Sequence, residues 1–157
     1  MEATLNLETV ADETARLVLR AAAAVEIDPV QQLRALNVDR ASVVRVSASV
    51  RGTVAALLGC YFQGMAPDDE SWHVELWSPA WTRRVDQDVL NAKLMRVVTL
   101  EAAAQLLWPF APLAPAAATY SRQAAEEGES LVRLLDTVTA VSPPPPGIVR
   151  RPLHPFV

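Results

Sequence analysis

The chain has 157 residues, 51% of them hydrophobic and 20% charged, with a formal net charge of −4. This is enough apolar material to fill a core and too little net charge for wholesale disorder, and the length suits one domain or two very small ones. The acidic balance, with no basic run longer than the pairs Arg83-Arg84 and Arg150-Arg151, weighs against nucleic acid as the main partner, because phosphate binding needs concentrated positive charge.

Acidic residues at positions 2, 8, 12 and 13 are the opposite of a signal-peptide leader, and no uninterrupted apolar run reaches membrane-spanning length. A cytoplasmic location with no membrane partner is therefore expected. Residues 7–25 read as an amphipathic helix. Val10, Leu17, Val18, Ala21, Ala24 and Val25 recur at threes and fours, with Asn6 as N-cap. Asp28-Pro29 breaks it.

Residues 26–38 read as an ordered loop, and Asp39 as the N-cap of a second helix over about 40–50. The β-branched run from Ala41 to Gly52 allows a rival reading, a strand turning at Gly52. Residues 53–62 then form a short third helix or turn around Val54, Leu57, Leu58 and Phe62. Cys60, the single cysteine, excludes an internal disulfide and a thiolate metal site, and its apolar neighbours make it a buried filler.

Residues 64–71 look like a linker or exposed turn. Alternation of Trp72, Val74 and Leu76 against His73, Glu75 and Trp77 then predicts a short strand ending before Pro79. Thr82 can cap a long helix over 83–108, whose Leu90, Leu94, Val97, Leu100, Ala104 and Leu107 form an apolar stripe ended by Pro109. Pro115 suits the first turn of a last helix over 116–140. It buries Tyr120, Ala124, Leu131, Leu134, Leu135 and Val138, and Gly128 is its weak spot. The two long helices should pack antiparallel. The tail from Ser142 carries four consecutive prolines and favours an extended, polyproline-type chain.

Within 26–46, Ile27, Asp28, Pro29, Leu33, Leu36, Val38 and Asp39 stand in the order of an Ile-Asp-Pro loop, spaced leucines and a capping acid. On these residues, the stretch from about 7 to 62 resembles an acyl or peptidyl carrier domain, with Arg40 where the phosphopantetheine-bearing serine should stand. Ser42 lies two positions on, inside the first turn, and is not expected to be modified. The resemblance implies a degenerate carrier. It would be a non-catalytic docking or scaffolding subunit of a polyketide, nonribosomal peptide or fatty-acid type assembly, without a cofactor and with a protein partner. Asp39, Arg40, Arg45 and Arg51 are its contact candidates.

Other chemistry is sparse. With two histidines (His73, His154) in separate segments and one cysteine, a zinc site is not expected. Asp86, Asp88 and Asn91, a turn apart, could ligate a metal or position water, though acids in a first turn ordinarily serve the helix dipole. Asp86 and Asp88 with His73 could instead serve a small enzyme. Trp72, Trp77 and Trp81 make either a small core or an exposed aromatic patch. Phe156, in the apolar end of the tail, is a candidate anchor for a groove on another protein.

The expected architecture is mainly α. A carrier-like helical part (1–66) precedes a Trp-rich segment plus helical hairpin (67–141) and a Pro-rich flexible tail (142–157). The alternative is α+β, with an antiparallel sheet from 41–63 and 72–78 backed by helices, acting as a dimeric chaperone, adaptor or ligand-binding protein. An unpaired strand at 72–78 would favour a partner or a homo-oligomer.

Overall fold

A computed structural model describes residues 1–25, 37–77 and 86–141. It is mainly helical with one small antiparallel sheet. The chain enters as a strand, β1 (Glu2–Asn6), and turns directly into helix α1 (Leu7–Ala24). The expected cap forms there: the Asn6 side chain accepts the Thr9 amide at 3.0 Å. The buried stripe of α1 is rotated from the expected one. Thr14 and Ala22 lie inside, while Ala24 and Val25 are exposed.

After Asp39 the chain is helical, as α2 (Arg40–Arg45) and α3 (Ser47–Leu58), broken only at Val46. The strand reading of 41–52 therefore fails. Val43, Val50, Val54 and Leu58 are buried at helical spacing, and that periodic burial outweighs their β-propensity. Gly59, at φ 57° and ψ −122°, ends α3 in a conformation that suits glycine alone.

A 3-10 turn at Gly59–Tyr61 leads into β2 (Phe62–Pro67), which pairs with β3 (Ser71–Leu76). The segment 64–71, expected to be a linker, is thus most of a hairpin. The strand expected at 72–78 is present, starting one residue earlier and ending at Leu76. Its partners both come from this chain, in the order β1-β3-β2 and antiparallel throughout. Ala3, Leu5, Met65, Trp72, Val74 and Leu76 face inward; Glu2, Thr4, His73, Glu75 and Ala66 face out. Both edges are interrupted. The outer strand β2 carries a bulge between Phe62 and Gly64 and ends in Pro67, and the Gln87 amide donates to the Glu2 carbonyl of β1 at 2.9 Å.

Two long helices complete the fold, α4 (Gln87–Leu107) and α5 (Ala114–Val141), joined by a 3-10 turn at Ala111–Leu113. The N-cap of α4 is Asp86, whose Oδ1 accepts the Asp88 amide at 2.9 Å, and Thr82 lies outside the described residues. Cross-links run Lys93 to Ser130, Arg96 to Glu127 and Glu101 to Ser121. One number falls as the other rises, so the helices are antiparallel as expected.

Helix α4 is the centre of the molecule. Its whole predicted stripe is buried, and so are Val98, Ala102, Ala103 and Leu106 on its other sides. Leu5, Val10 and Val54 from the first 66 residues share one core cluster with Trp72, Leu94 and Leu131. Gly128 has a packing reason. A Cβ built there would stand 3.1 Å from the Leu57 Cβ, so the missing side chain is what lets α5 approach α3 so closely.

Candidate interaction surface

The start of α2 is built by its own side chains. Asp39 Oδ1 accepts the Ser42 amide at 2.9 Å, and the Asp39 amide points back to the Ser42 hydroxyl at 3.4 Å, a reciprocal capping box. The amide and hydroxyl of Ser42 hold the Asp39 carboxyl below the usual carboxylate range. The Ser42 hydroxyl also reaches the Asn37 carbonyl at 3.0 Å. Ser42 is buried and its oxygen is committed to local bonds, so the one serine near the carrier-type position is not presented to solvent.

Arg40 is not a free contact group. Its guanidinium donates to the Asp69 carbonyl in the β2–β3 turn, tying the helix tip to the hairpin. Arg45 and Arg51 are exposed, as is Val44 at 45% of its full area. From Arg40 to Leu58 the chain carries three arginines and no acid, on a protein of net charge −4. The α2–α3 segment is therefore basic and acid-free in itself, with one exposed branched apolar residue, while Asp68 and Asp69 line the recess beside Val44 and Glu75 the one beside Arg51.

Beside that tip, the outward sheet face holds a second charged group. His73 Nε2 lies 2.6 Å from Asp68 Oδ2, and its Nδ1 lies 3.0 Å from Glu2 Oε1. Thr4 Oγ1 is 3.4 Å from the same Nδ1, and Arg51 and Glu75 line the adjoining recess. A ring with a carboxylate on each nitrogen favours the imidazolium, and Asp68 foremost raises the His73 pKa above 6.5. Asp68 in turn is drawn from 3.8 down to about 2 by His73 and by the Glu70 and Ser71 amides.

A raised histidine stabilises the fold fully below its unfolded value of 6.5 and loses that contribution as pH rises through the folded value. The lowered Asp68 contributes above 3.8 and loses it towards about 2. The wild-type urea midpoint should therefore fall between about pH 5.5 and pH 8.5 relative to that of His73→Gln. Parallel profiles for the two proteins would show that the ring carries no linked proton.

Trp72 and Trp77 belong to the core, not to an exposed aromatic patch. Trp72 is fully buried, and Trp77 is buried beside Tyr61, ring centroids 6.3 Å apart, with the Tyr61 hydroxyl donating to Asp136 at 2.5 Å. Trp81 and Phe156 lie outside the described residues. Among the described tryptophans, Trp108 is the exposed one, at 46%. The residues of the enzyme alternative each have local roles. His73 bonds Glu2 and Asp68, while Asp86 caps α4 and Asp88 is exposed. Among the described residues no group of three or more His, Cys, Asp or Glu is placed to hold a metal. Burial pushes the Cys60 thiol up, as suits a filler rather than a nucleophile.

Two further features had no sequence signal. Glu101 is buried on α4 and accepts from Thr53 at 3.2 Å, Gln105 at 2.9 Å and Ser121 at 3.2 Å, all neutral donors. A cleft of about 250 Å³ opens between α2 and the C-terminal end of α4. No protein-family model, curated protein or solved structure matches this chain. Among the described residues no helix is long and apolar enough to cross a membrane.

Proposed function

We propose that the protein is a non-catalytic docking subunit that offers its α2–α3 face to an acidic surface of a partner protein. The carrier resemblance supplies the setting, a polyketide, nonribosomal peptide or fatty-acid type biosynthetic assembly. The observation that carries the reading is the exposure of Val44, Arg45 and Arg51 on a segment that holds no acid from Arg40 to Leu58. Complementary charge steers such encounters and fixes register, and an exposed branched side chain beside it supplies apolar contact. Burial of Ser42 and the arginine at position 40 both fit a module that docks without carrying a prosthetic arm.

The test is photocrosslinking from position 44 in cells, with position 126 on the exposed side of α5 as control. The captured protein is then purified, and its affinity is measured for wild type and for a Val44→Asp/Arg51→Glu variant. Capture from position 44 alone, with at least tenfold weaker binding to the variant and a steep loss with salt, is the expected outcome. Equal capture from both positions, or unchanged affinity, would sink the reading.

A further inference from the structure

The cleft between α2 and the end of α4 is lined by Val38, Val46, Leu106, Pro109 and Phe110, with Arg45 at its side. Two of its other polar side chains are committed, and the third, Asn37, is an exposed neutral amide. The Ser42 hydroxyl serves Asp39 and Asn37, and the Gln105 amide serves Glu101. Arg45 is the one charged residue of the lining, and among the described residues no carboxylate pairs with it.

An apolar cavity with a single unspent cation selects for a molecule that is apolar at one end and anionic at the other. Aliphatic and aromatic walls gain from excluding water, whereas a guanidinium forms its strongest bonds with planar carboxylates. A neutral apolar molecule would leave Arg45 unanswered, and a cation would be repelled by it. At about 250 Å³ the cleft suits a small molecule, such as a short-chain carboxylate.

We propose that this cleft is a binding site for a small aliphatic carboxylate, its chain on Val38, Val46, Leu106 and Phe110 and its carboxylate on the Arg45 guanidinium. The site shares Arg45 with the docking face but none of that face's other contacts, so the two can be tested separately. Val44 and Arg51 line no part of it, and the substitutions that test docking leave its lining intact.

Amide chemical shifts of the full-length protein, followed during titration with hexanoate, hexanol and hexylammonium, test it directly. Hexanoate is expected to move the Val38, Val46, Leu106 and Phe110 amides saturably and to bind about tenfold more tightly than hexanol, with no saturable shift from hexylammonium. Arg45 is exposed, so Arg45→Gln should fold normally. It should bring hexanoate down to the hexanol level and leave hexanol unchanged. Absence of saturation at those amides, equal binding of hexanoate and hexanol, or full hexanoate binding by Arg45→Gln would each overturn the proposal.

Discussion

Trp72→Ala is expected to lower the unfolding free energy by about 3–5 kcal/mol, the usual cost of removing a large buried aromatic side chain. Trp72 is fully buried at the middle of the sheet, in one cluster with Leu5, Val10, Val74 and Leu94. A cavity there would loosen both β1 and α4. The indole nitrogen has no hydrogen-bond partner among the described residues. Trp72→Phe therefore removes less volume and a buried donor that nothing described accepts, and it should cost well under half as much. Urea denaturation of the two variants gives both values. A Trp72→Ala protein of full stability but impaired partner capture would return this ring to the surface role once open to it.

Glu101→Ala should destabilise by about 2–4 kcal/mol, because three half-buried donors on three helices lose one buried acceptor together. Thr53 comes from α3, Gln105 from α4 itself and Ser121 from α5, so the carboxylate is a node where all three meet. Glu101→Gln keeps the shape and one carbonyl oxygen, and the Ser121 hydroxyl can turn to accept the new amide. Its cost should stay below about 1 kcal/mol. A thermal or urea series in which both variants lose the same amount would mean that charge, rather than hydrogen-bond geometry, is what the node supplies.

Long periodic elements could be read from the sequence. Helix α4 shows its stripe at Leu90, Leu94, Val97, Leu100, Ala104 and Leu107 because one face is repeated over many turns. Asn6 and Asp39 announced their helices because a capping side chain acts on amides two or three residues away. The alternation of Trp72, Val74 and Leu76 gave the strand for the same local reason.

What was illegible is non-local or short. β1 is five residues, and its pairing with β3 joins positions such as Leu5 and Trp72. β2 holds a glycine and a proline, which read as punctuation but sit comfortably on an edge. The contacts of Arg40 with Asp69 and of His73 with Glu2 cross 29 and 71 positions. No periodicity encodes such distances, so Arg40 looked free and His73 looked isolated. Thr14 and Glu101 misled in the opposite sense: both are polar, and both are buried.

The interrupted margins of the little sheet bear on how this protein can meet others. A kinked, proline-ended strand on one flank offers no straight row of amides to a newcomer, and a glutamine already occupies a carbonyl on the other. Extension by a foreign ribbon is thereby discouraged, along with the fibrous assembly it invites. Any recognition by this protein would then fall to helical sides and hollows, where shape and charge rather than backbone pairing decide the fit.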